Sequence, residues 1–142
     1  MDDPHDLERF WQAQDGTYER VLEELHGGRK RSHWMWFVFP QIAGLGSSAM
    51  SRRYAIQGPD EARAYLEHPV LGARLRECCE VLLEPHRLSA VEVFGPTDAL
   101  KLRSCATLFA AVSPAGSIFH RVLDEYFGGE QDRLTTANVG GI

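Results

Sequence analysis

Lys30, His33, Gln41 and Lys101 are the side chains of this sequence best equipped for chemistry. Lys30 precedes His33 by three residues and Gln41 follows it by eight, so a cation, an imidazole and an amide border the aromatic block Trp34-Met35-Trp36-Phe37-Val38-Phe39-Pro40. An imidazole at the rim of an aromatic pocket suits general acid/base work near neutral pH, which makes His33 the candidate catalytic residue. A plain hydrogen bond, or a cap on the segment, is the other use open to it. Trp34 and Trp36 can stack on a ligand ring, or can serve as a core anchor.

Lys101 breaks its local pattern. On a helix of about 100° per residue it falls within roughly 40° of Cys105, Leu108 and Val112, on the stripe that should face the core. Lysine is almost never fully buried unless paired. Either Lys101 snorkels out from the helix start, or it places a cation at the floor of a pocket. Ser104 and Thr107 follow at one-turn intervals. The three side chains form a ladder able to hold an anionic or polyhydroxylated ligand, although both hydroxyls can equally bond carbonyls one turn earlier. Arg74 lies at the edge of another apolar stripe, Leu71 to Leu82, where it pairs with a carboxylate or helix end or else binds a ligand phosphate. Ser47, in the loop Gly44 to Ser48, joins Lys30, Trp34, Trp36, Gln41, Arg74, Lys101, Ser104 and Thr107 in the ligand-binding set.

These residues need positioning elements, and the sequence supplies helices. Leu7, Phe10, Trp11 and Gln14 share helical spacing. Tyr18, Val21, Leu22 and Leu25 make a second stripe, stopped by Gly27-Gly28, with Glu19, Glu23 and Glu24 on its solvated face. The apolar run Trp34 to Phe39 fits a buried strand or a buried helical turn, and Pro40 ends it. Ser47 or Ser48 caps a short helix through Tyr54. Pro59 opens a helix that His68-Pro69 interrupts, and the Leu71–Leu82 helix closes before Pro85. Ser89 and Glu92 have capping-box spacing, followed by a short helix ending at Phe94-Gly95. Thr97 or Asp98 caps the next helix, and Ser117 caps a last long one ended by Gly128-Gly129. The polar tail to Ile142 reads as fraying. The pattern predicts an all-α domain over residues 1–142, of roughly seven helices, several short.

Composition bounds the function. The chain has 142 residues, 44% hydrophobic and 25% charged, which fits one globular domain. The formal net charge is −5, contrary to general nucleic-acid binding. Arg29-Lys30-Arg31 and Arg52-Arg53 are local basic clusters, which fit a phosphate or carboxylate better than a long polyanion; a solvated loop is the plainer reading of Arg29 and Arg31. Cys78, Cys79 and Cys105 make a poor disulfide framework and point to a reducing, cytoplasmic setting. No metal-ligand spacing, cofactor motif, signal peptide or membrane-length apolar run is present, so no metal, cofactor or membrane is expected.

The block Lys30-Arg31-Ser32-His33-Trp34-Met35-Trp36-Phe37-Val38-Phe39-Pro40-Gln41 resembles the K-x-x-H-W-M-W-F-x-F-P-Q signature of the bacterial domain-of-unknown-function family numbered 1810, sometimes labelled calpastatin-like. The resemblance runs along nearly the whole chain. It takes in Phe10-x-x-Ala13-Gln14, Gly44 to Ser48, Tyr65 to Leu75, Phe94-Gly95, Asp98, Lys101, Ser104 and Thr107-Leu108-Phe109, with Ala106 where the family usually has Met. The resemblance implies a mainly helical fold and carries no catalytic residue, because the family has no established activity. Two functions follow as expectations. One is binding, or chemistry, on a small anionic molecule such as a nucleotide or sugar phosphate. The other is a non-catalytic interaction module built on the tryptophan-rich segment and the basic patch.

Overall fold

The computed structural model describes residues 2–86 and 88–139. Among these residues it is all-α: α1 (Glu8–Gln14), α2 (Tyr18–His26), α3 (Met35–Val38), α4 (Ala49–Arg53), α5 (Pro59–Glu67), α6 (Leu71–Leu82), α7 (Ala90–Ala111), α8 (Ile118–Phe127) and α9 (Arg133–Val139). The nine exceed the predicted seven mainly because two short helices hide in sequence. The aromatic run folds as a single helical turn, α3, and leaves it at Phe39, just before Pro40. The polar tail folds through Val139 because Thr135 and Val139 are buried; residues 140–142 of that tail lie outside the described residues. The two helices expected on either side of Phe94-Gly95 are both present, as the two segments of α7 on either side of a kink. Gly95 has φ +82°, a left-handed backbone that glycine tolerates, and Pro96 follows it.

Local chemistry sets most helix ends. Ser48, Ser89 and Ser117 cap α4, α7 and α8 through their side chains, and Ser89 forms a complete capping box with Glu92. Neither Thr97 nor Asp98 is the cap of the second segment of α7, because the break lies ahead of them, at Gly95. The His68 imidazole accepts hydrogen bonds from Val70 N (3.1 Å) and Leu71 N (3.2 Å), so it tethers the start of α6. At Gly72 the backbone passes so close to α5 that a Cβ would lie 2.1 Å from the Leu66 carbonyl oxygen. Replacing Ser117 by alanine removes the α8 cap. We expect a loss of about 1 kcal/mol, read as a lower urea midpoint at unchanged slope.

One continuous core joins the elements. Helix α7 carries much of it through Leu102, Cys105, Leu108 and Phe109, and packs against α5, α8 and α9. All three cysteines are buried free thiols, and burial pushes the Cys78 thiol up to about 12. Trp11, placed on an apolar stripe by its spacing, is 44% exposed. No helix among the described residues is long and apolar enough to cross a membrane.

Candidate functional site

The aromatic block is held from below by α2. Glu24, expected on a solvated face, instead turns toward the loop before α3. Its Oε1 accepts from Arg31 N (2.7 Å), Ser32 N (3.0 Å) and Trp34 Nε1 (3.0 Å), and its Oε2 accepts from Ser32 Oγ (2.6 Å). Burial pushes the Glu24 carboxyl up, but the donors from Ser32, Arg31 and Trp34 outweigh it and hold the group at about 2. Trp34 is thereby locked as a fully buried anchor, packed edge-on against Phe94.

Asp98 organises the cations above this anchor. Lys30 Nζ lies 2.9 Å from Asp98 Oδ2, and Lys101 Nζ lies 3.0 Å from Asp98 Oδ1. Lys30 also donates to Ser32 O (2.6 Å) and lies over the Trp34 ring at 5.1 Å. Lys101 lies over the Trp36 ring at 4.0 Å, a separation at which the ring quadrupole attracts an ammonium. Burial raises the Asp98 carboxyl, yet the hydrogen bonds and charges of Lys30 and Lys101 hold it below its usual range. Two ammonium groups on one carboxylate leave a surplus of positive charge, with Lys101 the more exposed of the two at 19% against 8% for Lys30.

Lys101 opens onto a cavity of about 540 Å³. One wall is Trp36 from α3. Another is α7, with Thr97, Leu100, Lys101 and Ser104. The segments 41–46 and 54–57 supply a third, joined by Ile56 N to Gln41 O (2.8 Å) and Ala43 N to Ile56 O (2.8 Å). Arg52 of α4 adds a second cation, and Asp132 and Leu134 close the side formed by the start of α9. Among the described residues the Gln41 amide makes no side-chain hydrogen bond within the protein, so its donor and acceptor are free at the cavity wall.

The family model for "Protein of unknown function (DUF1810)" matches residues 4–139. The chain belongs to the DUF1810 family. The crystal structure of the conserved hypothetical protein Rv1873 from Mycobacterium tuberculosis is similar to it with a TM-score of 0.95 and 50% identity, over 99% of this chain and 100% of that one. Among curated proteins none matches the chain.

The residues singled out in the sequence therefore divide between two jobs. Trp36, Gln41, Lys101 and Ser104 come together on the cavity, with Lys30 behind Lys101 on the shared carboxylate. Trp34 is structural, and so is Thr107, whose hydroxyl donates to Arg103 O (2.8 Å) and accepts from Asp132 N (3.0 Å). Ser104 also donates to Leu100 O (3.1 Å), the carbonyl bond open to a hydroxyl on a helix. His33 is exposed and lies outside the lining of the cavity, as does Ser47. Arg74 is also outside the lining: it donates to Gln14 Oε1 (3.3 Å) and covers the Tyr18 ring at 4.7 Å. The family's Gln14 is a buried joint, donating to Phe37 O (2.7 Å) and Tyr65 Oη (3.2 Å).

Sequence reasoning read Arg52 only as part of a basic cluster, and missed Gln57, Thr97 and Asp132 on the cavity and Asp98 beneath it. Asp98 carried a usable signal. It lies one turn before Lys101, the spacing of a helical ion pair, so the inward lysine had its partner in plain view.

Proposed function

We propose that this DUF1810 protein binds a small anionic organic molecule, such as a nucleotide or sugar phosphate, in the cavity between α3, α4, α7 and the start of α9. The observation that carries this reading is Lys101, held over Trp36 by Asp98 on a cavity that Arg52 also lines. A pre-oriented ammonium beside a flat ring, with a second cation on the same cavity, suits a ligand that joins an anion to an apolar or aromatic part. Gln41, Gln57, Thr97 and Ser104 supply orienting hydrogen bonds. Because His33 lies outside this lining, the reading assigns it no proton transfer in the cavity. The interaction-module alternative keeps an exposed Arg29 and Arg31, but it loses Trp34 to the core and Trp36 to the cavity wall.

The test is a thermal-shift panel of nucleotides, sugar phosphates and orthophosphate, run on the wild type and on Lys101→Met. The substitution leaves Asp98 paired with Lys30, so the fold should survive. A true ligand at about a hundred times its Kd adds about 2.7 kcal/mol, a shift of several degrees for a domain of this size. We expect that shift on the wild type to be largely lost in Lys101→Met. Equal stabilisation of both proteins would overturn the assignment of the site.

A further inference from the structure

Asp132 does not belong to the cationic logic of this cavity, and its two oxygens are in different states. Oδ2 is fully engaged, accepting from Thr135 N (3.0 Å) and Thr135 Oγ1 (2.5 Å). The backbone is pinned as well, since Asp132 N donates to Thr107 Oγ1 (3.0 Å). Oδ1 accepts no hydrogen bond among the described residues: its nearest cation, Arg103 Nη2, is 3.8 Å away, outside hydrogen-bond range. A carboxylate this firmly held, on a cavity wall, with one oxygen engaged only by a 3.8 Å ion pair to Arg103, keeps room for a hydrogen-bond donor from a ligand.

The rest of the lining narrows the class of that donor's owner. Much of the wall is apolar, from Ile42, Leu45, Leu100 and Leu134. A sugar phosphate, hydroxylated on every side, would leave those walls against polar groups. A free amino acid would underfill about 540 Å³, a volume in the range of drug-sized ligands. A nucleotide meets each demand at once. Its base offers apolar faces to Leu45, Leu100 and Leu134 and an edge to Gln41 or Gln57, its phosphate answers Lys101 and Arg52, and its ribose carries hydroxyl donors.

We infer that the ligand of this cavity is a ribonucleoside phosphate, and that Asp132 Oδ1 accepts a hydrogen bond from a hydroxyl of its sugar. The inference rests on the ligand reading above and specifies it. Asp132→Asn tests it, while also removing the ion pair to Arg103. The Thr135 donors require an oxygen and therefore keep the amide oxygen in the place of Oδ2. The amide nitrogen then stands where Oδ1 was, and an acceptor becomes a donor.

The experiment is calorimetric titration, with the Trp36 indole proton followed by NMR. The ligands are the four ribonucleoside monophosphates, their 2′-deoxy and 3′-deoxy counterparts, glucose 6-phosphate and orthophosphate. At least one ribonucleotide is expected to bind the wild type and move the Trp36 signal. One of its deoxy counterparts should bind about tenfold more weakly, because the half-buried Oδ1 then loses its hydrogen-bond donor. In Asp132→Asn the ribonucleotide should fall to the level of that deoxy form, with the deoxy form itself little changed. The deoxy comparison on the wild type needs no variant, so misfolding of Asp132→Asn would not blunt the test. If ribo and deoxy forms bind alike, or if glucose 6-phosphate binds and nucleotides do not, this inference fails while the cavity reading stands. If nothing in the panel binds, both fail.

Discussion

Replacing Arg9 by alanine is expected to destabilise the fold by about 3–5 kcal/mol, measured by urea or thermal unfolding. Arg9 uses its whole guanidinium. Nε donates to Arg53 O (2.8 Å), Nη1 to His5 O (2.6 Å) and Asp6 O (2.8 Å), and Nη2 to Ala55 O (2.9 Å) and Glu61 Oε2 (2.7 Å). Glu61 is 3% exposed, and its other oxygen accepts from Gln57 N (3.2 Å). Removing the guanidinium therefore strands a buried carboxylate and four carbonyl groups drawn from two chain segments. Lysine will not rescue the site, because one ammonium cannot reproduce five donors in a planar fork. The double variant Arg9→Met with Glu61→Leu should recover a good part of the loss, since a buried pair costs more when halved than when replaced by apolar groups. A single-variant loss below about 1 kcal/mol would mean that water already shields the pair. The consequence reaches the cavity: Arg53, Ala55 and Gln57 belong to, or flank, the wall facing Trp36, so Arg9→Ala should also weaken any ligand held there.

Neither Arg9 nor Glu61 stood out in the sequence, and the reason is physical. Their contact closes a loop of 52 residues, and no local period marks such a pairing. What sequence did reveal obeys short-range rules. The all-α class and most helix ends follow from stripes, serine caps, Pro59 and Gly128, each acting within a turn of itself. Lys101 was legible because a helical wheel is a local geometry. The aromatic run was not, since six apolar residues carry no period and only the tertiary seat of Trp34 selects one helical turn over a strand. His33 shows the same limit: with Trp34 and Met35 both buried, the residue before them is left outside. Asp132 was hidden in a polar tail whose folding depends on Thr135 and Val139 finding α7. Lys101 and Ser104 were therefore readable as odd residues on a predictable helix, and most of the cavity exists only after distant segments meet.

Glu24 joins the short-range and the long-range logic, and its removal should be the second large effect. Glu24→Ala leaves the indole N–H of a fully buried tryptophan and the donors of residues 31 and 32 without their acceptor. Orphaned buried donors cost about 1–3 kcal/mol each and do not add fully, so we expect a loss of about 3 kcal/mol. Glu24→Gln should cost less, because one oxygen remains to accept while the amide nitrogen opposes the other donors. Acid provides an independent check. The folded carboxyl sits at about 2, below its ordinary 4.5, so the folded state binds this proton less readily than the unfolded chain does. The stabilisation it gives is complete above pH 4.5 and is lost as pH falls toward 2. The urea midpoint of the wild type should fall through that window, and that of Glu24→Gln should fall less, since the variant has no proton to take up at this position. Parallel slopes in the two proteins would show that the carboxylate is not the acceptor described. A stable Glu24→Ala with unchanged Trp34 fluorescence would show that packing alone seats the indole. Either result would also detach the family's tryptophan block from α2, and with it the fixed platform over which Lys30 and Lys101 are held.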